Sequence, residues 1–227
     1  MPTPLFKIIT IHPQFVQTYF SFGAFHSAIT KEKAQIEVQN LRQFAKDKHG
    51  TIDSRPFGGG DGMVLRPDCL ASAVKAHPKK AHVIMPSPCG KKWDQKQAER
   101  LLTIPKDIIF ICGRFGGVDQ RFVENYVDEQ FSIGDFILCG GELAALSMIE
   151  SSIRLIPGVL GHPQSSVHES FSSEYEGKLE HPLYTRPSEF EGISVPKVLQ
   201  SGNHQDISKW QQEQRLKLTE KLRPDLK

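Results

Sequence analysis

The sequence predicts an α/β layered protein with a mostly parallel sheet, followed by a small helical C-terminal segment. Three observations predict it. Apolar segments alternate with amphipathic ones as far as residue 157, the pattern of strand and helix units that builds a parallel sheet. Three of those segments run into glycine-bearing loops. Beyond residue 192 the apolar residues recur at helical spacing.

The strands are expected at Leu5–Ile11 (LFKIITI), Ala34–Asn40 (AQIEVQN), His82–Pro86 (HVIMP), Ile108–Gly113 (IIFICG) and Phe136–Gly140 (FILCG). Helices are expected between them at Pro13–Phe20, Pro67–Ala76, Asp94–Leu102, Gln120–Tyr126 and Glu142–Ile156. The last carries Leu143, Leu146, Ile149 and Ile153 on one face, and Pro157-Gly158 stops it. The stretch 158–192 is polar and aperiodic. It is too long for an ordinary connection, so an interdomain linker or active-site loop is expected there. Residues 193–227 then read as a helical unit. Asn203 suits an N-cap, Asp206 falls in the first turn, and Ile207, Trp210, Gln214 and Leu218 form one stripe. Lys209, Arg215, Lys217, Lys221 and Arg223 decorate the remainder, a basic set with an aromatic among it that suits phosphate contact. Glu213, Glu220 and Asp225 dilute that patch, and a solvated amphipathic face has the same pattern.

A chain of 227 residues is long enough for a sizeable core. Its net charge of +2 neither demands nor excludes nucleic acid, so any such site must be a local patch. No stretch approaches the apolar length of a membrane span. The N-terminal MPTPLFKIIT lacks the charge, apolar run and cleavage site of a secretory signal, so a cytoplasmic location is expected. Cys69, Cys89, Cys112 and Cys139 contain no CxxC pair, which signals neither a zinc site nor a disulfide framework.

The three loops MPSPCGKK, CGRFGGVD and LCGGE each follow an expected strand. Ligands of open α/β sheets settle outside the carboxyl ends of the strands. One pocket with largely backbone walls is therefore expected. None of the loops matches GxxxxGK[ST], and none gives GxGxxG at a strand-to-helix junction, so the pocket need not hold a triphosphate or dinucleotide. Backbone amides and carbonyls there can read the edge of an adenine. Each glycine taken singly also suits a tight turn.

The motifs CGRFGGVDQR, SIGDFILCGGEL, IRLIPGVLG, HPLYTRPSEFEG and VPKVLQSGNHQDISKW, with DSRPFGGGDGM upstream, resemble in order those of the bacterial TrmD family, the tRNA (guanine-N1)-methyltransferases. The resemblance runs from Leu5 to Leu226. It implies a SPOUT-type fold, in which a mostly parallel sheet passes through a deep trefoil knot, and a homodimer with its active site between subunits. It implies S-adenosylmethionine as cofactor and, as substrate, tRNA with guanosine at position 37, methylated at N1. The cofactor residues it implies are Ser87, Pro88, Cys89 and Gly90 in the first loop, and Gly113 and Phe115 in the second. Ile133, Gly134, Asp135, Phe136, Ile137, Leu138, Gly140 and Gly141 complete the set.

Guanine N1 carries a proton at neutral pH, and charge spreads onto O6 as that proton leaves. The reaction needs a base at N1 and a cation or donor facing O6. The donor sulfur is already positive, so no metal is needed to activate it. By the resemblance, Arg154 is the helper and the residue at 169 is the base. The family reads Asp-Ser-Phe where this chain has Glu169-Ser170-Phe171. One added methylene moves the carboxylate by about 1 Å, which costs roughly a hundredfold in rate if nothing compensates. His168 beside it is an alternative base. Further departures are Phe115 and Gly116 for the family's tyrosine and glutamate, Cys89 for glutamine, and Ala144 and Asp61 for prolines. They leave room for a non-catalytic RNA-binding paralogue or a methyltransferase for another RNA position.

Overall fold

The structure, a computed structural model, describes residues 3–226. The chain forms two compact units that divide between Gly161 and His162.

The first unit contains β1 (Leu5–Thr10), α1 (Pro13–Tyr19), α2 (Gly23–Thr30), β2 (Gln35–Asn40) and the short pair β3 (Asp53–Ser54) and β4 (Val64–Leu65). After these come α3 (Pro67–Lys75), β5 (His82–Lys92), α4 (Gln95–Leu101), β6 (Ile108–Ile111), α5 (Gln120–Tyr126), β7 (Glu129–Ser132) and α6 (Glu142–Ile153). Five strands form one parallel sheet in the order β2-β1-β6-β5-β7.

Side-chain alternation explains the layers. All four residues of β6 are buried, as a central strand covered on both faces requires. Phe6, Ile8, Ile84, Ile108 and Phe110 pack with Val16, Phe25, Leu101, Leu146 and Ile149 on one face. Their neighbours Ile9, Val83, Met85, Ile109 and Ile111 pack with Leu70, Ala73, Phe122 and Val123 on the other. Period-2 alternation along each strand thus feeds two separate cores.

Two expectations for this unit need correction. The expected strand Phe136–Gly140 is an irregular loop, and the fifth strand is β7, which pairs with β5 from Ile84↔Glu129 to Lys92↔Ser132. Phe131 is fully buried in β7, whereas Phe136 and Ile137 are exposed. The apolar run therefore belongs to a cavity wall and not to a strand. Helix α2 was not foreseen, although Phe25 and Ala28 are spaced for burial on one helical face and are buried. Strand β5 also resumes after its loop, with the register shifting between Pro86 and Lys91. Helix α6 ends at Ile153, three residues earlier than its apolar pattern suggests, and Arg154 is its half-buried C-cap.

The second unit contains a short hairpin, β8 (Glu189–Phe190) with β9 (Ile193–Ser194), and α7 (His204–Leu222). Glu191 and Gly192 both have positive φ, 50° and 78°, which suits a two-residue turn between strands. Asn203 caps α7, its side chain accepting from the Gln205 amide at 3.1 Å. Ile207, Trp210, Gln214 and Leu218 are half-buried, as their stripe predicts. Arg215 departs from expectation, because it is half-buried and not part of a solvated face. Its guanidinium carbon lies 4.3 Å from the ring centre of Tyr175. Nearby, the Leu179 amide donates to Thr219 Oγ1 at 3.1 Å.

Candidate functional site

Strands β6, β5 and β7 are neighbours and run parallel, so the segments leaving their carboxyl ends meet at one edge of the sheet. A cavity of about 430 Å³ opens there. Ser87, Pro88 and Cys89 line it from the bulge in β5. Gly113, Phe115 and the glycines that follow line it from the loop after β6. Ile133, Gly134, Phe136, Ile137, Leu138, Gly140 and Gly141 line it from the loop after β7.

Gly90 and Asp135, from the same expected set, are not among the lining residues. Gly90 instead packs directly on the backbone of Gln130 and Phe131, where a Cβ would collide with the Phe131 amide nitrogen. It lets the bulge lie flat on β7 and so serves the wall from behind. Residues missed by sequence reasoning include Arg114, Val118, Gln120, Gln130 and Ser132, all of which line the cavity, as does Cys139 of the loop LCGGE. Arg114 and Val118 lie inside the quoted loop CGRFGGVD, which was the one available signal for them.

The loops hold one another by backbone contacts. Arg114 and Gly140 form an antiparallel bridge, and the Gly141 amide donates to the Gly113 carbonyl at 3.0 Å. A Cβ on Gly141 would stand 3.0 Å from Cys112 Cα and 3.2 Å from the Gly113 nitrogen. The close approach of two chain segments therefore favours glycine at 141, while a Cβ at 140 would meet the side chains of Glu142 and Arg114. On its other side the loop after β6 is pinned to β4. The Gly116 amide donates to the Met63 carbonyl at 2.7 Å, and the Leu65 amide donates to the Gly117 carbonyl at 2.9 Å. Phe115, between these ties, has φ +60° with a half-exposed ring at the cavity. An aromatic residue in the left-handed region is strained, and such strain concentrates at functional sites.

Beneath the loops lies a buried carboxylate. Glu142, the first residue of α6, accepts from Thr10 Oγ1 at 2.7 Å, and its other oxygen is 3.8 Å from Arg114 Nη1. Cys112 is fully enclosed next to it. Burial pushes its thiol well above the ordinary cysteine range, with the Glu142 charge adding to the effect.

Arg154 sits at the end of α6 in the first unit, and Glu169 belongs to the second. Around Glu169 the chain is held by its own backbone. The Ser172 amide donates to the Glu169 carbonyl at 3.2 Å, and Phe171 adopts φ +72° while its amide donates to the Lys178 carbonyl at 2.8 Å. The Glu180 amide donates to Ser170 Oγ at 2.9 Å. The His168 ring stacks on Tyr175, with centroids 6.2 Å apart. Thus the segment that carries Glu169 and His168 folds back on Tyr175, which Arg215 of α7 covers.

Comparison with known proteins follows the same span. The family model described as tRNA (Guanine-1)-methyltransferase TrmD matches residues 5–227. A tRNA (guanine-N(1)-)-methyltransferase of Geobacter sulfurreducens is 44% identical over 224 residues, covering 97% of this chain and 90% of the relative. The protein of that name from Sulfurihydrogenibium sp. is 45% identical over 222 residues, 96% of this chain and 85% of the relative. Its counterpart from a Wolbachia pipientis strain of Culex pipiens is 44% identical over 223 residues, 96% and 95% of the two chains.

Proposed function

The chain belongs to the tRNA (guanine-1)-methyltransferase TrmD family and is a tRNA (guanine-N1)-methyltransferase, and from that premise we propose how its residues divide the work. The cavity at the ends of β5, β6 and β7 is the site for the methyl donor, S-adenosylmethionine. Its size of about 430 Å³ lies within the range of about 300–1,000 Å³ common to small-molecule sites. Its chemistry fits too. Backbone amides and carbonyls around Gly113, Gly140 and Gly141 suit the edge of a purine, and Ile133, Phe136, Ile137 and Leu138 offer apolar walls for its faces. The glycine-lined wall, tightly packed against the Cys112–Gly113 backbone at Gly141, is the observation that carries this reading.

Bound there, S-adenosylmethionine supplies an electrophilic methyl group on a positively charged sulfur. The substrate is guanosine at position 37 of tRNA. Glu169 takes the proton from N1, which turns a poor nucleophile into a good one. Arg154 faces O6, where charge develops as that proton leaves. Helix α7 contacts the tRNA backbone through Lys209, Lys217 and Lys221. The enzyme works in the cytoplasm as a homodimer whose SPOUT-type sheet is knotted around the cofactor loops. Among the described residues no helix is long and apolar enough to cross a membrane.

The test is methyl transfer from labelled S-adenosylmethionine to tRNA transcripts that differ only at position 37. Wild type should label only the guanosine transcript. Glu169→Gln should lose at least about a hundredfold in rate, and Glu169→Asp should keep most of it. Full activity in Glu169→Gln would move the base to another residue, with His168 next. Transfer to a transcript without guanosine 37 would reassign the substrate position.

A further inference from the structure

We propose that Cys89 and Cys139 form a thiol modification site inside the cavity, open to small disulfides. The four cysteines of the chain fall into two pairs. Cys69 and Cys112 are buried in the two cores, whereas Cys89 and Cys139 are exposed. Both exposed thiols belong to residues that line the same 430 Å³ cavity, from different loops. Among the described residues no other cysteine is exposed. A reagent that reacts only with accessible thiols is therefore directed to this one cavity.

Local structure keeps the two cysteines there. The Cys89 amide donates to Ser87 Oγ at 3.2 Å, and Gly90 behind it is pressed on the β7 backbone. Cys139 precedes Gly140, which is bridged to Arg114. Each cysteine thus has as its neighbour a glycine whose contact with another segment also shapes the wall. The buried pair serves as an internal control, since burial disfavours the thiolate at both Cys69 and Cys112, and the thiolate is the nucleophile.

The chemistry is thiol–disulfide exchange. The thiol of Cys89 or Cys139 gives its proton to water, and the thiolate attacks one sulfur of a small symmetrical disulfide. A new protein–sulfur bond forms as the old S–S bond breaks, and the second half leaves as a thiolate that takes up a proton. The cysteine is oxidised to a mixed disulfide, and half of the reagent is reduced to a thiol. The added group then occupies cavity volume. Resting on the cofactor reading above, the consequence is reversible inhibition, in which the methyl donor and the modifying group exclude each other.

The probe is cystamine, applied to the whole protein and followed by peptide mapping in a mass spectrometer. Binding of S-adenosylhomocysteine is measured calorimetrically before and after. Mixed disulfides should appear at Cys89 or Cys139 at least about tenfold faster than at Cys69 or Cys112. Saturating S-adenosylhomocysteine should slow them by about tenfold, and modification should weaken its binding by about tenfold or more until dithiothreitol restores it. The doubly substituted Cys89→Ser, Cys139→Ser protein should keep its own starting affinity after cystamine. No modification at either exposed cysteine, or equal modification at all four, overturns the proposal, and so does modification without loss of binding. Absence of binding by the untreated protein would instead count against the cofactor reading, while the labelling pattern would still decide the thiol site.

Discussion

Thr10 at the end of β1 donates its hydroxyl to the carboxylate of Glu142 at 2.7 Å, with both residues buried. These residues are 132 positions apart in the chain. The contact ties the sheet to the start of α6, immediately behind Gly140 and Gly141. Removing one partner leaves a buried polar group unsatisfied, which costs more than the bond itself contributes. Thr10→Val should therefore destabilise the protein by about 1–3 kcal/mol in urea unfolding. Glu142→Gln, which keeps an acceptor, should lose less than Glu142→Ala. Equal losses in the two variants would show that the hydrogen bond contributes nothing.

Glycines of the first unit differ in what surrounds them, and substitutions should follow that ranking. Gly90→Ala sets a Cβ against the Phe131 backbone, with no flexible side chain to yield. Overpacking of this kind typically costs about 1–3 kcal/mol. Gly141→Ala meets Cys112 Cα at 3.0 Å and should distort the wall, weakening binding of S-adenosylhomocysteine more than it lowers stability. Gly161→Ala has nothing within 4 Å and should be neutral to within about 0.5 kcal/mol. Thermal midpoints and calorimetry of the three variants check the order.

Acid sensitivity should have a contribution from α3. Hydrogen bonds from the Arg66 guanidinium, aided by Lys46, hold the Asp68 carboxyl down at about 2 against an ordinary 3.8. A carboxyl depressed in the folded state stabilises it above the unfolded value, and that stabilisation fades as pH falls from about 4 towards 2. Asp68→Asn should flatten the stability profile across that window. At neutral pH it should cost no more than about 1 kcal/mol, because the group is partly solvated. A profile unchanged between wild type and variant would remove Asp68 from the account.

Cover of Tyr175 by Arg215 should hold the segment that carries Glu169. A partly desolvated cation over an aromatic face is worth about 1 kcal/mol or more. Tyr175→Leu should accelerate hydrogen exchange at the Phe171 and Leu179 amides by about fivefold, the equivalent of ~1 kcal/mol. These amides bond to the Lys178 carbonyl and to Thr219 Oγ1. Arg215→Lys should give a similar increase, because an ammonium does not reproduce the planar stack. Unchanged protection in both variants would make the contact incidental.

Much of the cavity wall could be read directly from the chain. Two of its three loops follow strands recognised from apolar runs, and their glycines pointed to a backbone-lined pocket. The error at Phe136–Gly140 is instructive. A short apolar run is written the same way along the chain whether it is a buried strand or the partly exposed wall of a cavity. Arg215 misled in the opposite direction, since a guanidinium buried over a tyrosine looks like solvated charge until its partner is known.

By itself the sequence determined the alternation of strands and helices, the cap at Asn203, the pairing of glycines with strand ends and the family. These depend on local periodicity, on backbone freedom at single residues and on motif order, all of which are written along the chain. Only the tertiary structure decided that β7 precedes the loop, that Gly90 and Gly141 face backbone, that Thr10 meets Glu142, and that both exposed cysteines share one cavity. Those facts depend on which distant segments meet when the sheet orders its strands β2-β1-β6-β5-β7. Non-local contact of that kind has no period and no spacing to be read.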